Sequence, residues 1–364
     1  MFSLLRAGLW EREPDDLSPF PLTDAQWWNV YRMAVRQTVT GIVCRGLHHL
    51  PEALLPGDAL MIRWVAETDR IERKNRRMDA VVCLLAQRMG RNGLHPVLLK
   101  GQGVAAFYEH PLTRECGDID LCFLSEEEER EAAELMRRVG CRTEKQPDGS
   151  NCYSWQGVEV EHHTRLFDLH NPLLKVYLSA LVREHGFTEF RPGGRDGLPE
   201  GNQSGEFPAT ISVPSPLPNL LLLNAHLLKH LLGHGVGLRQ FCDMARAYHT
   251  LCGSYSPEGL EAVYRRTGLL RGSAQLLTEY LGLHRAELPY ADTDACSSPE
   301  LLRIVLEGGN FGQYGGTKGK ASQARWERKL RTFLSFWKHR GFSSAYARKE
   351  AFWISVRLII GNLR

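Results

Sequence analysis

VLLKGQGVAAFYEHPLTRECGDIDLCF, residues 97–123, holds two short apolar runs separated by a glycine turn and a loop. Val97 to Leu99 reads as one strand. Lys100-Gly101-Gln102-Gly103 reads as a turn into a helix, and Gly117 to Phe123 as a second strand. Side chains two apart on a strand share a face, so Asp118 and Asp120 are expected to project together, with Ile119 and Leu121 opposite. Two carboxylates on one face repel each other, and a divalent cation between them removes the repulsion. Glycines at a helix start let backbone N–H groups approach phosphate. The combination points to metal-assisted chemistry on a nucleotide. An Asp pair of this spacing also occurs in sugar transferases and on plain surfaces, so it needs support from elsewhere in the chain.

That support comes about forty residues later. Asn151 to Trp155, the Gln156-Gly157 turn and Val158 to His163 read as a hairpin. Alternation places Glu159, Glu161 and His163 on one face and Val158, Val160 and His162 on the other. Either Glu161, the favoured choice, or Glu159 supplies a third carboxylate. Phosphoryl and nucleotidyl transfer build charge on oxygens around phosphorus, and two Mg²⁺ ions held by two or three carboxylates neutralise it. Lys100 is then either a phosphate clamp or a strand-end cap. Arg114 either binds phosphate through its fork of donors or orients an aspartate. His163 reads as a hydrogen-bond partner of a metal ligand rather than a ligand.

Outward from this centre the chain reads as helical. Three regions are expected: a helical one over 1–94, a core over 95–170, and a helical one over 171–364 with a mobile loop near 191–208. Thr23 offers a cap before Trp27 and Trp28, and apolar residues from Ile62 to Met89 recur at helical spacing. The run from Asp69 to Arg77 is rich in base. It reads as a solvated helix face or, more sharply, as a rim that meets phosphate. Gly90-Arg91-Asn92-Gly93 is the expected stop, with glycine as the C-cap. Ser125 to Glu128 forms a capping box for a helix running to Arg138. Beyond 170, helices are expected near Asn171 to Glu184, Asn219 to Leu232, Leu238 to Thr250, Pro257 to Thr267, Gly272 to Leu283 and Pro299 to Leu306, with a strand at Thr210 to Val213 and a loop at Gly308 to Gly316. His226, His230 and His234 fall on one helix face; they either bind a metal, line the cleft or pack. The tail from Ser322 to Arg364 reads as a closing helix. Its end, Phe342 to Arg364, could instead rest on a membrane surface or a partner.

Composition bounds the rest. The 364 residues carry a net charge of +3, too small to argue for nucleic acid. Nine cysteines without paired zinc spacing are read as reduced thiols, which implies a cytoplasmic protein. No apolar run reaches membrane-spanning length, and the first residues do not form a signal peptide.

The central pattern resembles the polymerase-beta-like nucleotidyltransferase superfamily. More closely it resembles the bacterial family called uncharacterised nucleotidyltransferase. The shared features are Leu98-Leu99-Lys100-Gly101, Tyr108 and Pro111, Arg114, Gly117 to Leu121, and Glu161-His162-His163-Thr164-Arg165-Leu166. Gln102 stands where the superfamily commonly has serine or glycine, and Glu161 where aspartate is common. The resemblance implies an α+β fold, with a small mixed-sheet nucleotidyltransferase core flanked by N-terminal and C-terminal helical regions. It implies Mg²⁺ (or Mn²⁺)-dependent transfer of a nucleoside monophosphate from a triphosphate such as ATP, with release of pyrophosphate. Asp118, Asp120 and Glu161 would be the catalytic metal ligands, and Lys100, Gly101, Gln102 and Arg114 would hold the triphosphate. The acceptor is left open among a small molecule, a peptide, a protein and an RNA end. The competing readings are a metal-dependent glycosyltransferase and a non-catalytic nucleotide-binding protein.

Overall fold

The two apolar runs of the central stretch pair with each other. In a computed structural model, β1 (Val97–Leu99) and β2 (Ile119–Cys122) run antiparallel with Leu99 opposite Asp120. The structure describes residues 1–146, 149–193, 210–233, 235–267, 273–290, 298–309 and 348–360. The expected loop at 191–208, His234, the Asn310–Gly316 part of the glycine-rich loop and the tail up to residue 347 fall mainly or wholly outside these residues.

Five further strands complete a mixed sheet. They are β3 (Glu144–Lys145), β4 (Asn151–Trp155), β5 (Val158–His163), β6 (Phe187–Phe190) and β7 (Ile211–Pro214), in the order β3-β4-β5-β2-β1-β7-β6. β5 lies parallel to β2, with Asp120 opposite Glu161 and Cys122 opposite His163. β7 lies parallel to β1, and β6 closes that side antiparallel to β7. The β4–β5 hairpin turns at Gln156 (φ 51°) and Gly157 (φ 75°), the two positive φ values that a tight two-residue turn needs. β1 and β2 are buried at every position, as expected of central strands covered on both faces.

The contacts divide the chain into two units. One comprises Met61–Leu166 and Val182–Asn219 and contains the whole sheet; the other comprises Met1–Leu60, Phe167–Leu181 and Leu220–Arg364. In the sheet unit, Met78, Val81, Val82, Leu85 and Met89 come from a long helix. Ala132 and Met136 come from a second helix, and both sets pack on Leu98, Ile119, Leu121, Phe123, Tyr153 and Val160. The long helix runs Asp58–Gly90 and ends where Leu94 N donates to Met89 O past Gly93 at φ 73°. The second helix, Glu126–Arg138, starts at Ser125, whose Oγ accepts from Glu128 N, and four glutamates fill the first turn against the helix dipole; of the expected capping box only this half forms, since Glu128 Oε1 accepts from His95 N instead.

In chain order we label the helices α1 (Phe2–Trp10), α2 (Asp24–Arg36), α3 (Thr40–Leu47), α4 (Asp58–Gly90), α5 (Gly101–Ala105), α6 (Glu126–Arg138), α7 (Pro172–His185), α8 (Pro216–Gly233), α9 (Leu238–Thr250), α10 (Pro257–Thr267), α11 (Ser298–Gly308) and α12 (Arg348–Ile360). Where a helix was expected to run to Leu283, the described chain forms a π-helical turn at Leu276–Tyr280. α2 starts on the Thr23 capping box. In the helical unit, α1 and α3 cross at glycines: a Cβ on Gly8 would lie 1.9 Å from Ile42 O, and one on Gly46 2.0 Å from Leu4 O. α12 is tied into the same unit. Glu350 is buried, and its carboxylate accepts from the backbone N–H groups of His170 and Asn171 at the start of α7.

Candidate active site

Three neighbouring strands deliver the site. Lys100 follows β1 directly and caps α5, with φ 52°, a backbone region that non-glycine residues seldom occupy. Antiparallel pairing puts Leu99 beside Asp120, and the Lys100 ammonium comes to 3.0 Å from Asp120 Oδ2. Parallel pairing puts Glu161 beside Asp120 from the other side. His163 Nε2 lies 2.8 Å from Asp120 Oδ1 and 3.5 Å from Glu161 Oε2. Ligand atoms of Asp120, Glu161 and His163 all fall within 4.8 Å of one another.

Asp120 is 6% exposed. Burial alone pushes its carboxyl pKa up. The Lys100 charge and the His163 hydrogen bond outweigh that and hold it far below the usual carboxylate range. For His163 burial favours the neutral ring, yet the hydrogen bond to Asp120 and its charge raise the imidazole above its ordinary value. Lys100 and His163 thus neutralise Asp120, and a cation binding that carboxylate would compete with them.

Behind the cluster a buried network steadies β5. His162 is fully buried, with Nε2 2.9 Å from Tyr153 Oη and Nδ1 3.6 Å from Glu129 Oε1. Asn151 Nδ2 donates to the same glutamate oxygen at 2.7 Å. Burial lowers the His162 pKa, so this ring supports the strand as a neutral group.

The residues singled out in the sequence are only partly brought together. Asp120 and Glu161 meet, and His163 lies in the same group at hydrogen-bond distance from Asp120. Asp118 stands half-buried one residue before β2, outside the three residues within 4.8 Å, with its carbonyl 3.6 Å from where a Gly101 Cβ would be. Glu159 is exposed and pairs in register with Ser154. Arg114 is buried and donates from Nη1 to Cys116 Sγ at 3.0 Å. Gln102 is 3% exposed, and both polar atoms of its amide are buried without a partner. His226 and His230 stack edge to face with centroids 4.3 Å apart. Among the described residues, only Asp120, Glu161 and His163 form a group of three with metal-ligand spacing.

The basic run on α4 divides. Arg70, Arg73 and Arg76 pair with Glu67, Asp69 and Glu72 along their own helix, as a solvated face does. Lys74 and Asn75 turn instead to the loop before β2, a role the sequence reading missed. The available signal was Asn75, which falls in step with Ile71, Met78 and Val82 on the face where only apolar residues were expected.

A strand turn carrying Lys100-Gly101 lies beside two carboxylates on adjacent parallel strands and a flanking imidazole, and the last three have the spacing of metal ligands. The chain belongs to the uncharacterised nucleotidyltransferase family, whose model matches residues 23–279. It is also similar to a crystal structure of an antigenic nucleotidyltransferase-like protein from Paracoccidioides brasiliensis. That match has 14% identity and a TM-score of 0.34, and covers 56% of this chain and 92% of that one. None of the curated proteins compared with it matches. No helix among the described residues is long and apolar enough to cross a membrane.

Proposed function

We propose that the protein is a divalent-metal-dependent nucleotidyltransferase that moves a nucleoside monophosphate from a triphosphate to an acceptor hydroxyl. The observation that carries this reading is the Asp120–Glu161–His163 cluster beside the Lys100-Gly101 turn, in a chain of this family. The donors present fit the metal. Two carboxylates suit Mg²⁺, which keeps waters and takes phosphate oxygens, and an imidazole among them suits Mn²⁺ as well. The unpartnered amide of Gln102, two residues from Lys100, fits a polar ligand at the turn.

A bound ion would supply charge neutralisation at the triphosphate and a lowered pKa for the attacking hydroxyl. Asp120 and Glu161 would hold it, with Asp118 as a further carboxylate from the same strand end. His163 orients Asp120 through its 2.8 Å contact. Lys100 neutralises Asp120 and sits where its ammonium can also meet phosphate. The acceptor oxygen forms a bond to the α-phosphorus as the bond to the departing pyrophosphate breaks, and Glu161 helps remove the hydroxyl proton.

Mn²⁺ titration of chelator-treated protein, followed by electron paramagnetic resonance, tests the site. Asp120→Asn and Glu161→Gln are expected to weaken binding by about tenfold or more, and Glu159→Gln to leave it near wild type. Incubating α-labelled triphosphates with source-cell lysate then reveals the acceptor. Label transfer that persists in Asp120→Asn, or that comes only from a sugar nucleotide, overturns the reading.

A further inference from the structure

The loop that carries Arg114 and ends at Asp118 is held from outside by consecutive residues of α4. Asn75 is 3% exposed, and its Nδ2 donates to Leu112 O at 2.6 Å and to Arg114 O at 2.7 Å. Lys74 Nζ donates to Cys116 O at 2.8 Å and to Gly117 O at 2.9 Å. Four carbonyls of residues 112–117 therefore end on a single turn of helix. The neighbouring arginines spend their charge on carboxylates of their own helix. Lys74 has no acidic residue three or four positions away, so its helix gives it no competing partner.

We propose that Lys74 and Asn75 are positioning residues for the metal and phosphate site. They fix the 112–117 segment and so set where Asp118, the residue just before β2, leaves the loop two residues from Asp120. This rests on the nucleotidyl-transfer reading above. An ammonium offers three donors and no acceptor, which suits a pair of converging carbonyls. A loop that ends in a metal carboxylate benefits from such bracing, because outer partners of a ligand set its geometry.

The test is Mn²⁺ affinity of the full chain, with melting temperature in EDTA measured alongside. Lys74→Met keeps the side-chain stem on an exposed helix surface; it is expected to weaken Mn²⁺ by about tenfold or more, with Lys74→Arg within about threefold of wild type. Asn75→Ala is expected to weaken Mn²⁺ similarly. Wild-type affinity in both Lys74→Met and Asn75→Ala, whatever their melting temperatures, overturns the bracing role and leaves the site reading intact. Wild-type protein that binds Mn²⁺ no better than Asp120→Asn overturns the site reading and the bracing role together.

Discussion

Lys100→Met isolates one interaction of the site. The substitution removes the ammonium 3.0 Å from Asp120 Oδ2 and keeps most of the apolar stem. Methionine tolerates the positive φ at this position no better and no worse than lysine, so backbone strain is unchanged. Asp120 is then left buried with the His163 imidazole as its remaining counter-group in the cluster. Severing a buried pair by deleting one partner costs about 3–5 kcal/mol, and the remaining His163 contact argues for the lower end, about 3 kcal/mol. At roughly 2–4 °C per kcal/mol for domains of 150–250 residues, the melting temperature in EDTA should fall by about 6–12 °C. A divalent ion binds Asp120 in competition with Lys100, so the variant should gain more from added Mn²⁺ than wild type does. Melting with EDTA and with millimolar Mn²⁺ reads both effects. An unchanged melting temperature in EDTA, or equal Mn²⁺ gains in the two proteins, refutes the reasoning.

Three further substitutions probe the frame. Gly46→Ala places a methyl group 2.0 Å from Leu4 O at the α1–α3 crossing, which should cost about 3 kcal/mol in chemical denaturation, whereas Gly57→Ala, with nothing within 4 Å of its added carbon, should be near neutral. Asp79 is pushed up to about 7 by burial, above its unfolded value, so its contribution is fully present below about pH 4 and is lost as pH rises through 7. Asp79→Asn should therefore gain stability over wild type between pH 4 and 7, reach a few kcal/mol on the order of the pKa difference, and level off above about pH 8; an equal gain at pH 4 and pH 8 would contradict this.

Local pattern made several parts of this architecture readable. The β4–β5 hairpin was legible because strict alternation flanks a Gln156-Gly157 turn, and α6 because Ser125 and its glutamates announce a start. The meeting of Asp120 with Glu161 was legible only in outline. Alternation gives the face of each strand, but the parallel register that sets the two residues opposite each other joins positions far apart in the chain. β6 had no legible signal: Phe187–Phe190 is short, follows a helix directly, and exists because β7 offers it an edge. Asp118 reads as a strand residue, whereas the ladder begins at Ile119, so no strand pairing fixes its side chain on the face of Asp120. Lys74 and Asn75 were hidden inside a charged run whose other members are ordinary helix pairs.

The place of β7 has a consequence for synthesis. β1 lies between β2 and β7, and β7 is encoded over a hundred residues after β1, beyond α7. While the chain is being made, β1 to β5 can assemble soon after residue 163 emerges, but the outer edge of β1 stays bare until residues 211–214 follow. An apolar, unpaired strand edge invites pairing with other chains. A fragment ending near residue 170 would keep that edge permanently open, so expression of Asp120 and Glu161 on their native sheet calls for the chain through Pro214.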